Sequence, residues 1–356
     1  MKKIIALFVS IVLIISLCSC SIRIDDIVEI TFGDTENERF FESALSVCFV
    51  DVGQGDCAIV QCGGETMIID AGEEGNEDKI FDMMNRLKID SFDIAVGTHD
   101  HSDHVGSLDN VIEKGKVEKV LLSPYQTSKG DFNYAAVRNE SKRKNIGVEE
   151  ISAGDEFYLG EAKVSVLAPI KEYEEMNDTS VVLKVEYKET SFLFMGDAEK
   201  ISEDDIIDSN ADIDADVLKV GHHGSNTSSS YHFLRDVMPE YAVLSLKEGN
   251  KYGHPHEEVV TRLNDCAATV YRTDLHSDII FYTDGENIEI ETGTDHEPIY
   301  STREKPTEEV YIGNIKSFKL HTPECKSLPS EKNRILFATM EEALSQGYTA
   351  CNGCNP

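Results

Sequence analysis

Six consecutive residues, His99-Asp100-His101-Ser102-Asp103-His104, carry three imidazoles and two carboxylates. Neutral imidazole and ionised carboxylate are the nitrogen and oxygen donors of zinc, manganese and iron sites. The run follows Asp93-Ile94-Ala95-Val96-Gly97, which reads as a buried strand. A loop leaving such a strand can turn alternate side chains towards one point, which a helix at this spacing would not do. The chain has only 11 His in 356 residues, so this density is rare by chance. A solvated His-rich loop is the bland alternative.

Further donors follow other strand-like runs. Asp70 closes Met67-Ile68-Ile69, Asp197 follows Phe194-Met195-Gly196, and His222-His223-Gly224-Ser225 follow Lys219-Val220-Gly221. In this order, with His99-x-His101-x-Asp103-His104 first, the set resembles the metallo-β-lactamase superfamily. That resemblance implies a hydrolase with two divalent metals, zinc or manganese. His99 and His101 would hold one metal. Asp103, His104 and either His222 or His223 would hold the other, with Asp197 bridging. Asp103 thus counts among both the metal and the catalytic groups. Asp70 and Asp56 would orient ligands or water, although both also suit turns and caps. His254 would protonate the leaving group. Among the late histidines the order of preference for the second site is His223, His222, His254.

Three further motifs narrow the resemblance. Phe49-Val50-Asp51-Val52-Gly53-Gln54-Gly55-Asp56, His222-His223-Gly224-Ser225 and Gly253-His254-Pro255-His256 are similar to the hydrolase domain of ComEC-type DNA-uptake proteins. The similarity covers roughly residues 44–292. It lacks the multi-span channel of those proteins, so DNA transport by this chain is not expected. One departure concerns the metals. No His occurs between His104 and His222, and Asn177 stands where many superfamily members have one. An amide oxygen is harder and weaker than imidazole, which moves the first site towards manganese or weak occupancy.

Elements able to position these groups are legible as short β-branched runs split by Gly-rich turns. Strands are expected at Ser46–Val52, Ala58–Val60, Met67–Asp70, Val120–Leu122, Ala162–Ala168, Val181–Tyr187, Ser191–Met195, Val217–Val220, Tyr241–Ser245, Asp278–Tyr282 and Ile288–Glu291. Helices are expected at Asp78–Leu87, Leu108–Lys114, Ser202–Asp208, Tyr231–Val237 and His256–Leu263. Strands with helices spread through both halves fit an α/β, four-layer αββα sandwich, the fold the resemblance implies, over residues 44–293.

The ends read differently. Lys2 and Lys3 precede an apolar run, Ile4 to Leu17, of signal-peptide length. Leu17-Cys18-Ser19-Cys20 resembles a bacterial lipobox, which implies a signal peptide over 1–20, a lipid on Cys20 and an extracytoplasmic, membrane-anchored protein. An uncleaved anchor helix is the alternative. Residues 21–43 form an acidic spacer and 294–308 a polar linker. In 309–356, His321-x-x-x-Cys325 and Cys351-x-x-Cys354 have the pairing of a structural zinc site. This module resembles the zinc-binding domain named after Ada, with His321 in place of one cysteine; one disulfide with a spare thiol is the alternative. Metal would supply much of its folding energy. A binding role, for nucleic acid among others, is its expected use. Cys48 and Cys57 read as buried hydrophobes, and the pairing of Cys48, Cys57, Cys62 and Cys266 is open.

Substrate follows less directly. Asp and Glu total 66 against 33 Lys and Arg, a net charge of −33, which repels polyanions at long range. Two-metal sites suit displacement at phosphorus, and the ComEC-like resemblance implies a nuclease. Arg138, Lys142, Arg143 and Lys144, in the densest basic stretch, could meet a nucleic-acid backbone or line an exposed helix face. The expectation is therefore a phosphodiesterase or nuclease acting on DNA. A small phosphodiester such as a phosphorylcholine group is the runner-up, and a lactam or carbon ester the third reading. A non-catalytic nucleic-acid-binding lipoprotein is the reading from another class. No protein partner is expected.

Overall fold

The computed structural model describes residues 39–114, 116–126, 132–299 and 311–354, except 324, 330–332, 338–339 and 352. The signal segment 1–20, Cys20 and residues 21–38 of the spacer lie outside the described residues. Among the described residues no helix is long and apolar enough to cross a membrane.

Strands in the first half are β1 (Leu45–Phe49), β2 (Ala58–Cys62), β3 (Glu65–Ile69), β4 (Ser91–Gly97), β5 (Lys116–Leu122) and β6 (Gly147–Glu150). The second half adds β7 (Glu156–Leu159), β8 (Ala162–Ala168), β9 (Val182–Tyr187), β10 (Thr190–Phe194), β11 (Val217–Lys219), β12 (Tyr241–Leu244), β13 (Thr269–Arg272), β14 (Ile279–Thr283) and β15 (Ile288–Thr292). One sheet has the order β15-β14-β1-β2-β3-β4-β5-β6, the other β13-β12-β11-β10-β9-β8-β7.

Alternation along the strands builds the layers. Val47 and Phe49 of β1 meet Phe192 and Phe194 of β10 in a core between the sheets. The intervening Cys48 faces outward, onto Ile80, Met83 and Leu87 of the Glu77–Leu87 helix. Leu193 of β10 likewise faces Ile206, Phe233, Leu234 and Leu263 of the opposite helices. Both faces of each sheet are therefore covered, which is the αββα sandwich.

Several local details depart from the sequence reading. Residues 39–43 are not spacer: Phe40 is fully buried and Arg39 pairs with Glu289 and Glu291 of β15. Ile299, in the expected linker, bridges to Val270 of β13. The basic stretch lies on a helix, Asn133–Lys144, as its exposed-helix alternative has it, and β6, β7 and β13 fall outside the expected strands. Cys48, Cys57, Cys62 and Cys266 are buried, and among the described residues none of them is in a disulfide.

The module carries β16 (Tyr311–Asn314), β17 (Lys319–His321), β18 (Arg334–Phe337) and β19 (Thr349–Ala350), in the order β18-β16-β17-β19. Its short helix is Met340–Ser345, followed by Gly347 at φ +85°. Ile312 and Leu336 pack on Tyr231 of the hydrolase domain.

Candidate metal centre

The His99–His104 run, Asp70, Asp197 and the His222–His223 pair follow strands with a parallel neighbour, so their carboxyl ends converge. β3 and β4 are parallel, as are β10, β11 and β12. Asp70 leaves β3, Thr98 to His101 leave β4, Asp197 follows β10, and His222 and His223 follow β11. His99 and His101 come from extended loop. Asp103 and His104, contrary to the all-loop expectation, sit in a helical turn, Ser102–Val105. Gly55 allows this turn to be approached from below: a Cβ there would lie 2.1 Å from the Asp103 carbonyl oxygen.

Hydrogen bonds on one ring nitrogen set which nitrogen is left for a cation. His104 Nδ1 lies 2.7 Å from Asp70 Oδ2. Asp70 also accepts from the Thr98 amide and hydroxyl, at 2.8 and 2.7 Å. His223 Nδ1 donates to the Ser245 carbonyl at 2.9 Å. The Ser180 hydroxyl donates to the Asn177 carbonyl at 2.6 Å. Its oxygen is therefore the acceptor for His99 Nδ1 at 3.3 Å and for the Asp197 amide at 3.1 Å. In the neutral form of all three imidazoles it is Nε2 that carries the lone pair. Thr98, Ser180 and Ser245 thus fix tautomers, and none was singled out from sequence. Only Thr98, beside His99, left a local signal.

Those Nε2 atoms gather around Asp197. Asp197 Oδ1 is 3.0 Å from His104 Nε2 and 3.4 Å from His223 Nε2. Asp197 Oδ2 is 3.9 Å from His99 Nε2 and 3.7 Å from His222 Nε2. Asp103 Oδ2 reaches His223 Nε2 at 3.3 Å, and His101 Nδ1 is 3.1 Å from His99 Nε2. The two groups His99–His101–Asp197 and His104–Asp197–His223, the latter with Asp56 close by, each lie within ligand reach of a common point.

Charge in this pocket is severely unbalanced. Burial resists ionisation of Asp197, yet His104, His223 and His222 hold its carboxyl well below the usual range. Burial lowers His104, but Asp197 and Asp70 outweigh it and raise it well above normal. Burial is likewise overcome at His223, which Asp197 and Asp56 raise to about 10. Burial and the neighbouring His104 leave His99 neutral, far below its ordinary value. Asp197 Oδ1 is moreover a buried anionic oxygen without an aligned donor. Close imidazole lone pairs, a buried carboxylate without a donor, and ring protons that a cation would displace all fit divalent metal.

The other expected residues fall around this centre. Asp56 lies behind the ligands: its Oδ2 pairs with Lys219 Nζ at 2.8 Å, and its Oδ1 is 3.2 Å from His223 Nδ1. Asp56 and Asp70 therefore hold imidazoles from the far side and do not reach a substrate. His222 sits at the edge, its Nδ1 3.1 Å from Glu199 Oε1. Asn177 donates to Glu199 at 3.0 Å, leaving its Oδ1 buried without a donor beside the first group. His254 meets His222 edge-on, its ring 5.5 Å away. Burial and the histidines around it push His254 down to about 4, which favours its neutral form. The basic stretch is not brought to the centre. Arg138 pairs with Glu150, and Arg143 with Glu140 and Glu113. Lys144 bonds the Glu113 carbonyl at 2.5 Å. Lys142 is exposed in the same last turn, roughly 14 Å along the helix from Asn133.

In the module all four expected ligands meet. His321, Cys325, Cys351 and Cys354 place their donor atoms within 4.8 Å of one another. Amides from Thr322 and Gly353 point at the Cys354 and Cys351 sulfurs, at 3.4 and 3.3 Å. Such N–H···S contacts favour thiolate, and the Gly353 amide lowers the Cys351 thiol below its ordinary value. One nitrogen and three sulfurs suit tetrahedral zinc.

Comparison with known proteins gives two matches within the chain. Residues 50–246 match the metallo-beta-lactamase superfamily, and residues 300–356 match the metal binding domain of Ada. ComE operon protein 3 of Bacillus subtilis (strain 168) is 28% identical over 65% of this chain and 32% of its own length. Competence protein ComA of Neisseria gonorrhoeae is 30% identical over 67% of this chain and 32% of its own. This chain therefore spans about a third of these relatives. Among solved structures, CmlA, a diiron beta-hydroxylase from Streptomyces venezuelae, aligns with TM-score 0.47 and 14% identity, over 68% of this chain and 54% of that one.

Proposed function

Since the chain belongs to the metallo-β-lactamase superfamily, we propose that it is an exported phosphodiesterase that cleaves DNA with metal-activated water. The observation that carries this reading is Asp197, whose two carboxylate oxygens face two separate histidine groups. Paired sites of this kind suit in-line displacement at phosphorus. The names of the relatives, competence proteins, favour DNA. The N-terminal Lys2-Lys3, the Ile4 to Leu17 run and Cys20 favour export and lipid anchoring.

When bound, a metal pair would lower the pKa of water towards neutrality and offset charge on phosphoryl oxygens. His99, His101 and Asp197, with Asn177 Oδ1 alongside, would hold one ion; Asp103, His104, His223 and Asp197 would hold the other. Asp70 and the Ser245 carbonyl keep the His104 and His223 lone pairs aimed inward. Asp56, neutralised by Lys219, braces His223 from behind. His254, its neutral form favoured, is placed to accept a proton.

A small phosphodiester is the second reading. It is favoured by the −33 charge and by the carboxylates that neutralise Arg138 and Arg143. The test is an assay of the mature chain, loaded with zinc or manganese, on single- and double-stranded DNA, bis(p-nitrophenyl) phosphate, p-nitrophenylphosphorylcholine and a lactam. Cleavage of DNA and the synthetic diester, lost on chelation and restored by metal, is expected. Cleavage of the choline ester alone selects the second reading. Hydrolysis confined to the lactam overturns both, and metal binding with no hydrolysis returns the binding-protein reading.

A further inference from the structure

Gly221 to Ser230, the segment that carries His222 and His223, is an unfavourable piece of backbone. His222, His223 and Ser229 all have left-handed φ, at 48°, 52° and 53°. None is glycine, so each disfavours the conformation it holds. Something outside the segment must impose it.

Two buried charges do so. Glu203, in the Lys200–Asp208 helix, has no exposed surface. Its Oε1 accepts from the Ser229 amide and its Oε2 from the Ser230 amide at 3.0 Å. Arg262, in the Glu257–Asp265 helix, is 2% exposed and heads the fully buried large side chains. Its Nη1 donates to the Ser228 carbonyl at 3.1 Å and its Nη2 to the Asn226 carbonyl at 3.5 Å. One charge grips consecutive amides, the other two carbonyls two residues apart, and the histidines lie just before the gripped stretch. Burying a carboxylate and a guanidinium is costly, and apolar packing alone would not need either.

We propose that Glu203 and Arg262 are positioning residues that hold the histidine segment so that His223 Nε2 meets Asp103, His104 and Asp197. The clamp acts through the loop and touches neither metal nor substrate. This rests on the metal reading of the site, but not on its substrate.

The full mature chain tests it, with Glu203→Gln, Glu203→Ala, Arg262→Lys and Arg262→Met. Glu203→Gln keeps the side chain's size and one acceptor oxygen, and burial already lifts the Glu203 carboxyl to about 7. Its NH2 faces an amide donor, however, which releases one arm of the clamp. Zinc affinity is read by chelator competition, with the Cys/His site of the C-terminal module as internal control. The weaker large-domain zinc is expected to bind roughly 10–100-fold less tightly, as for outer-shell partners. Glu203→Gln and Arg262→Lys should lose less than Glu203→Ala and Arg262→Met, and the module's zinc should be unchanged. If the larger changes unfold the chain, the conservative pair decides. Conservative variants with wild-type circular dichroism and wild-type affinity for every zinc would overturn the clamp. A wild-type chain that binds the metals but cleaves no phosphodiester would sink the proposed function alone.

Discussion

Replacing Asp197 by alanine should empty both halves of the large site and reduce hydrolysis to background. Among the described residues, Asp197 is the member shared by both groups. Asp197 Oδ1 approaches His104 and His223, while Oδ2 approaches His99 and His222. Losing it leaves each cation short of an anionic donor. It also leaves His104 and His223, raised partly by Asp197, with less reason to gather. The loss should exceed the roughly 10–100-fold typical of removing an outer-shell partner. Asp70→Ala, which removes the brace on His104 and the acceptor for Thr98, should fall within that smaller range. Metal content by plasma emission and turnover on bis(p-nitrophenyl) phosphate check both. An Asp197→Ala protein that retains two large-domain metals would refute the bridging geometry.

The second large effect concerns the module. Its own apolar core is slight: Leu320, Phe337, Ala343 and Tyr348 form one cluster, while Ile312 and Leu336 lean on Tyr231. A core of this size does not hold a fold of under fifty residues alone. Structural zinc contributes an apparent free energy of about 10–16 kcal/mol at neutral pH. Cys354→Ala, or strong chelation, should therefore melt residues 311–354 while leaving the sandwich folded. Limited proteolysis followed by mass spectrometry reads this directly. Rapid cleavage within the module with a protected 39–299 fragment is expected; an equally protected module after zinc removal would contradict it.

How far the chain could be read from sequence depended on how local each signal was. The His99–His104 run, Asp70 and Asp197 declared themselves because each follows a strongly apolar strand. The Asn133–Lys144 helix was legible only as an alternative for the basic stretch, since only Tyr134, Val137 and Ser141 are buried in it and its surface is charged. β6 and β7 escaped notice because Gly147-Val148-Glu149-Glu150 and Glu156-Phe157-Tyr158-Leu159 are sheet edges with exposed carboxylates. Phe40 was hidden by its polar sequence context, in which Glu42 is exposed. In the site, sequence offered the ligands but not their order of closeness. Ser180 touches His99 from 81 residues away, and Glu203 grips Ser229 from 26 away. The first pairing exists only once the two sheets have closed on each other, the second only once helices have packed on the outer face of the second sheet.

The left-handed backbone at His222 has one further consequence. Glycine adopts that conformation without steric cost, whereas a residue with a side chain is penalised by roughly 1–2 kcal/mol. A His222→Gly chain should then melt later than the parent, since relief of that strain outweighs the looser denatured chain. It would nonetheless lose the imidazole that faces Asp197 and Glu199. Durability and activity pull this position in opposite directions, so variants screened for heat resistance alone would drift away from function here.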